Sequence, residues 1–423
     1  MWWLVTLSLA LGVLLRLVFV LSLPRQQVEP DEFDYVAAAT GLLEQGSFER
    51  AVFYHVPPGT PVLFAGVFAL SGPTYLAARV AQCLLYVPLG LVLFLLGSHV
   101  AGRTAGLLAV TFGALYPYFV FFSGIAQTET LGTVAISLMA LMGVRAASRG
   151  RTVDAVGFGL ALAAASLTRA AVFSFVLAVP LVYAIAWGVG NARWLRASAV
   201  SLIAFLALYL PWVGVNYRYF GAVVPAPTIG SGVMLYQTAL RTTMPDPEER
   251  RAFLKREILP KYYNLAGGSH QDRLEGDRFL RREGVTIIRD NPGKYLGIVV
   301  QNITRFWQLY PHQSNDPATA RLYKALGLAS FGVLLPFFLV ALWACRTRFG
   351  ELSVLYGFMA YYTLVHALLY AMMRYRIPMD GIILVFAAAG LVTVAARCAP
   401  AALLRAETWL GTRAMPADGE VTP

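Results

Sequence analysis

Stretches of about twenty residues with almost no charge recur along this chain, at 2–23, 74–97, 103–122, 124–144, 154–168, 170–188, 197–213, 322–345, 350–372 and 377–395. An apolar helix of that length matches the hydrocarbon thickness of a bilayer, about 30 Å at 1.5 Å per residue. The pattern predicts an all-α polytopic integral membrane protein with about ten transmembrane helices, 154–168 being the shortest. Composition points the same way: 58% of residues are apolar and 13% are charged, against about 25% charged in a soluble domain. Cys83, Cys345 and Cys398 lie in or beside apolar runs without ligand-like spacing, so neither a disulfide framework nor a cysteine metal site is indicated. The first run has no basic segment before it and no small-residue cleavage site after it, and reads as a retained anchor.

Short loops with Arg103, Arg145 to Arg151, Arg193 to Arg196 and Arg346 to Arg348, and the tail with Arg397 and Arg405, all fall on one side of this scheme. The positive-inside rule makes that side cytoplasmic. Two longer segments then lie outside, 24–73 and 214–321. The second carries fifteen Lys or Arg against ten acids, which long loops tolerate on either side. The predicted organisation is an N-terminal transmembrane module, 1–213, containing the first outer loop; an extracytoplasmic cap, 214–321, with polar helices near 246–259 and 270–290; C-terminal membrane helices, 322–397; and a cytoplasmic tail, 398–423.

The first outer loop concentrates acids at Pro30-Asp31-Glu32-Phe33-Asp34-Tyr35, just past the membrane exit. Helical spacing of Phe33, Val36, Ala37, Leu42 and Leu43 predicts an interfacial helix over 32–45, with Asp31 and Glu32 at its N-terminal end. Acids there can simply complement the helix dipole, worth a few tenths of a kcal/mol. They can also serve acid/base chemistry beside a lipid-borne substrate. Further on, Tyr54-His55-Val56-Pro57-Pro58-Gly59-Thr60-Pro61 breaks any helix and opens an apolar run, 62–70, too short to span.

Together these motifs resemble the polytopic lipid-phosphosugar glycosyltransferases of the GT-C fold, with most likeness to the bacterial protein mannosyltransferase and aminoarabinose transferase group (family 39-like). Pro-Asp-Glu before a Tyr and an Ala-rich helix is followed by the His-x-Pro-Pro-Gly-x-Pro turn. In order come Tyr116-Pro117 through Glu129-Thr130, Leu167-Thr168-Arg169, Pro211-Trp212 with Asn216-Tyr217, and Arg374-Tyr375-Arg376-Ile377-Pro378. The resemblance runs over residues 2–395. It implies inverting transfer of a sugar from a polyprenyl-phosphate carrier to a lipid, polysaccharide or protein acceptor at the outer face of a bacterial inner membrane. It makes Asp31 the base and Glu32 its neighbour. The family more often has Lys or Arg where this chain has Val56. No cofactor is implied, although a divalent metal is not excluded.

A lipid phosphate leaving group requires fixed cations at the outer interface, and Arg can engage phosphate bidentately. The candidates are Arg374, Arg376, Arg169, Arg79 and Arg218. Arg374 and Arg376 occupy an outer turn, where the inside rule disfavours positive charge, whereas Arg218 and Arg241 can equally snorkel to headgroups. Glu129, near the outer end of an apolar run, is expected to position the acceptor or support the Asp31 loop, unless it merely pairs with Arg169 or Arg79. His55 and Tyr35 are further acceptor-side candidates. His366 is expected to pack between helices. The histidines show no metal-ligand spacing, and Asn302-Ile303-Thr304 is too short a match to weigh. Membrane lipids are expected partners, and nucleic acid is not.

Two other classes have a similar outline. A transporter or flippase of lipid-linked sugars would also have about ten spans, but its ionisable residues would gather near the midplane. A non-catalytic envelope assembly subunit would leave the acidic loop and opposing arginines unexplained.

Overall fold

A computed structural model describes residues 1–47, 56–262, 268–310 and 317–410. Helices dominate, and no strand occurs among the described residues. The N-terminal module comprises α1 (Trp2–Ser22), the interfacial α2 (Glu32–Gln45) and α3 (Gly59–Ser71), then α4 (Tyr75–Leu84), α5 (Tyr86–Leu115), α6 (Pro117–Ser123), α7 (Glu129–Arg149) and α8 (Thr152–Thr168). A 3-10 segment, Ala170–Ala178, leads into α9 (Val179–Trp187), and α10 (Arg193–Phe220) closes the module.

Seven stretches are long and apolar enough to cross a membrane. One of them, Tyr75–Leu115, is 41 residues long because it folds back on itself. Helical geometry fails at Ala101 and Gly102, where Gly102 adopts φ +84°, a left-handed turn that L side chains disfavour. The two arms then approach so closely that a Cβ on Gly97 would sit 2.9 Å from the Gly106 Cα. Separating the arms and adding the shorter α8 and the 16-residue Ser353–Leu368 helix accounts for the approximate count of ten. Two predicted spans of the N-terminal half need redrawing. The run 103–122 breaks at Tyr116, extended ahead of Pro117. The run 124–144 becomes helical only from Glu129, leaving 124–128 as a loop.

The cap contains α11 (Ser231–Ala239), α12 (Pro247–Phe253), α13 (Leu259–Tyr262), α14 (His270–Asp290) and α15 (Pro292–Phe306), of which α11 and α15 were not anticipated. Asp277 on α14 is buried and accepts from the amides of Gly230, Gly232 and Val233, placing a carboxylate at the positive end of α11. Two small apolar clusters, around Leu280 and around Phe220, form its interior.

The chain returns to the bundle through α16 (Pro317–Gly327), α17 (Val333–Ala344), α18 (Ser353–Leu368), the single turn α19 (Met373–Arg376), α20 (Asp380–Cys398) and the terminal α21 (Pro400–Leu410). Residues 382–389 of α20 are wholly buried, so this helix, apolar all round, is the bundle axis. It packs on α17 and α5, while α8 packs on α7 and α10. Helices at the periphery expose Leu7, Leu14, Leu177 and Leu339, as lipid contact requires.

The predicted span 350–372 ends early because the last carbonyls of α18 find partners in the cap. Thr238 donates to Leu369, Tyr295 to Leu368 and Asn302 Nδ2 to Ala367 at 2.9 Å. These bonds satisfy orphan helix-end acceptors and fasten the cap to the membrane bundle. Asn302 is therefore buried. At the other end of the bundle, Arg348 donates to the carbonyls of Val100 and His99, and Arg145 pairs with Asp154. Two of the loop arginines expected on one side, Arg348 and Arg145, are thus tied to α5 at residues 99–100 and to α8.

Candidate active site

The entry to α2 separates its two leading acids. Glu32 is fully buried and accepts from the amides of Val28 (2.6 Å), Glu29 (3.0 Å) and Ala126 (2.6 Å), and from Arg79 in bidentate fashion. Arg79, equally buried, spends its other N–H groups on the carbonyls of Pro24 and Gln26. This pair locks the acidic loop onto α4 and onto the 124–128 loop. It presents neither a carboxylate to an acceptor nor a guanidinium to a phosphate, which removes the geometric basis for the roles expected of Glu32 and Arg79.

Asp31 points elsewhere. Its side chain makes no cap bond to α2. It is about 60% exposed, with Oδ2 3.3 Å from Arg374 NH1. Arg374 also donates through Nε to Glu129 Oε1 at 2.6 Å, and Arg169 approaches the same oxygen at 3.5 Å. Asp31, Glu129, Arg169 and Arg374 therefore form one charge network drawn from four separate motifs. Glu129 is buried, and its Oε2 has no partner among the described residues. Tyr35, buried on α2, feels all four charges. Burial is the main cause pushing its phenol up, and Glu129 and Asp31 add to the shift against Arg169 and Arg374.

Beside this network lies a cavity of about 620 Å³, roofed by the cap. Arg250 and Arg251 of α12 and Arg305 of α15 face it together with Arg374, and Glu29 is the one acid among the described residues of its lining. Pro117, Tyr118, Phe121 and Phe122 supply apolar and aromatic wall. Arg241, behind the cavity on Asn302 and Gln301, is lowered to about 10 by burial and then by Arg305 and Arg250. Arg250 is shifted down for the same reasons, burial first. So much positive charge against so little negative suits an anionic ligand. Among the described residues, no group of three or more His, Cys, Asp or Glu could hold a metal.

Residues 55–215 match the family model described as dolichyl-phosphate-mannose-protein mannosyltransferase. In structure, the chain is similar to the oligosaccharyltransferase AglB of Archaeoglobus fulgidus in complex with an inhibitory peptide and a dolichol-phosphate. The TM-score is 0.61 at 15% identity, covering 97% of this chain and 52% of that one. The apo form of the same enzyme gives the same values. The fold is GT-C. ArnT from Cupriavidus metallidurans bound to undecaprenyl phosphate also matches, with a TM-score of 0.42, 16% identity and coverage of 94% and 79%. No curated protein matches the sequence. The chain spans about half the length of the oligosaccharyltransferase, while residues 55–215 are protein-mannosyltransferase-like.

Within this GT-C bundle the remaining candidates scatter. Arg376 is buried, pairs with Asp380 at 2.9 Å, donates to the Gln308 carbonyl and lies over the Phe331 ring, so it is not in the cavity lining with Arg374. Arg218 is exposed on the last turn of α10 and does not line the cavity. His55 lies outside the described residues. The adjoining Pro57-Pro58-Gly59 turn opens α3, and a Cβ on Gly59 would meet Thr168 Oγ1 at 2.6 Å, which explains why this turn and Leu167-Thr168-Arg169 occur together. Val56, in place of a basic residue, is buried in the apolar cluster around α2 and α3. His366 is stacked between Phe306 and Tyr375, as expected for a packing residue.

Sequence reading missed Arg250, Arg251, Arg305 and Gln127. The signal available was the basic excess of the cap, but which of its fifteen cations face inward depends on α15 and on the docking to α18.

Proposed function

We propose that this protein is an inverting glycosyltransferase that moves a sugar from a polyprenyl-phosphate carrier to a lipid, polysaccharide or protein acceptor. The reading places it in a bacterial inner membrane with the cap facing the periplasm. The observation that carries it is the juxtaposition of an arginine-lined cavity with an exposed Asp31 through one shared residue, Arg374.

In this mechanism the donor phosphate sits among Arg374, Arg250, Arg251 and Arg305. The acceptor hydroxyl attacks the anomeric carbon from the Asp31 side, and Asp31 takes its proton. The bond between the anomeric carbon and the phosphate oxygen breaks, leaving polyprenyl phosphate with an additional negative charge that the guanidinium groups stabilise. Base and leaving group on opposite sides of the sugar give inversion. Glu129 holds Arg374 in place and shares the same oxygen with Arg169. A positioned general base contributes about 10²- to 10⁴-fold. The AglB complex contains a dolichol-phosphate and the ArnT complex an undecaprenyl phosphate, and the donor proposed here is of that chemical kind.

The test is mass spectrometry of envelope glycans in a strain lacking the gene, re-expressing wild type or Asp31→Asn at equal membrane levels. Restoration of a missing sugar by wild type alone supports the reading. Equal restoration by both removes Asp31 as the base and favours a transporter or an assembly subunit.

A further inference from the structure

We propose that Gln127 is a specificity-determining residue of the cavity, whose carboxamide reads a pair of hydroxyl groups on the sugar of the bound carrier. This rests on the donor site proposed above. Gln127 is buried, lines the cavity, and neither its Nε2 nor its Oε1 has a hydrogen-bond partner among the described residues. An amide in that condition costs about 1–3 kcal/mol, a cost that a hydrogen-bonding group entering the cavity would offset.

The backbone that carries this side chain is held in place. The Ala126 amide donates to Glu32 Oε1 at 2.6 Å, Gln82 Nε2 donates to the Ile125 carbonyl at 2.7 Å, and the Gln127 amide itself donates to that carbonyl at 2.7 Å. On the far side, Thr128 Oγ1 donates to the Thr168 carbonyl at 2.7 Å. The loop is thus pinned before and after Gln127, and two residues later Glu129 holds Arg374. The buried Glu32–Arg79 pair gains a purpose here: it fixes the loop that aims Gln127.

The chemistry selects the ligand part. A carboxamide is neutral and offers both an acceptor and donors. A phosphate has acceptors only and is matched by the arginines, whereas neighbouring hydroxyls of a sugar each give and take a hydrogen bond, as Gln127 does. Tyr118, Phe121 and Phe122 in the same wall present ring surface to the apolar face of such a ring.

The experiment compares wild type, Gln127→Met, Gln127→Leu and the double variant Arg251→Gln/Arg305→Gln, each purified from native membranes. Co-purifying polyprenyl phosphates are extracted and quantified by mass spectrometry in sugar-bearing and bare forms, beside an unfolding curve in detergent. Removing an unpartnered amide should leave both Gln127 variants as resistant to unfolding as wild type or more so. The ratio of sugar-bearing to bare lipid should fall roughly tenfold to a hundredfold, while the arginine variant loses both forms and keeps the ratio. A ratio within twofold of wild type in both Gln127 variants overturns the proposal, as does loss of both lipid forms together with earlier unfolding, which would make Gln127 a structural residue. If wild type retains neither form, the donor-site reading fails and the proposal falls with it.

Discussion

Arg79 was expected among the phosphate ligands, and the structure instead gives it a buried carboxylate and two loop carbonyls, so its substitution discriminates between two kinds of residue. Arg79→Met leaves Glu32 fully buried with three backbone amides and no counter-charge. Stranding one partner of a buried ion pair costs about 3–5 kcal/mol. The charge-assisted bonds from Arg79 to Pro24 and Gln26, at 2.7 and 3.0 Å, disappear as well. The double variant Glu32→Gln/Arg79→Met removes the buried charge while keeping a neutral acceptor within reach of the amides. Residues in direct contact couple by about 0.5–3 kcal/mol, so the double variant should lose less stability than Arg79→Met and Glu32→Gln summed, by an amount in the upper part of that range. Unfolding in mixed detergent micelles, followed by tryptophan fluorescence, measures this cycle. Sugar transfer by the double variant should recover along with stability, because the pair acts only through the loops it holds. A double variant as stable as wild type but still inactive would refute this reasoning and return Arg79 to the substrate.

Two further outcomes follow from the charge network. Glu129→Gln keeps an acceptor for Arg374 but leaves Arg169 and Arg374 with Asp31 as the remaining carboxylate of the network. Transfer should fall by tenfold or more and stability by about 2–4 kcal/mol, read by glycan analysis and detergent unfolding, and an unchanged enzyme would show that Arg374 is positioned without it. Tyr35 is held protonated in the folded state, so its folded pKa lies above its unfolded value of about 10. Its contribution to stability is complete below pH 10 and declines as pH rises beyond that. Tyr35→Phe should therefore lose less stability than wild type between pH 9 and 11, and parallel curves would show that the phenol does not titrate on unfolding.

Much of the fold was legible because its cause is local. Twenty apolar residues in a row satisfy their backbone groups as a helix whatever else surrounds them, and each predicted span has a helical counterpart. The errors lie where a non-local partner decides. Nothing near Leu368 in sequence announces that Tyr295, Thr238 and Asn302 will take the last carbonyls of α18 and end the helix there. Nor does sequence distinguish Asp31 from Glu32, adjacent residues of nearly equal chemistry. A rotation of about 100° per residue along a helix sends one into a buried clamp and leaves the other at Arg374. The arginines divide on the same principle: Arg374 and Arg376 are two residues apart, so they face opposite sides of a single turn. One lines the cavity and the other is consumed by Asp380. Residue type thus identifies the set from which the proposed phosphate site is drawn, while membership depends on which cations line the cavity. By that criterion the site shifts from Arg79, Arg376 and Arg218 toward Arg250, Arg251 and Arg305, which lie on a cap that the sequence marks only as basic.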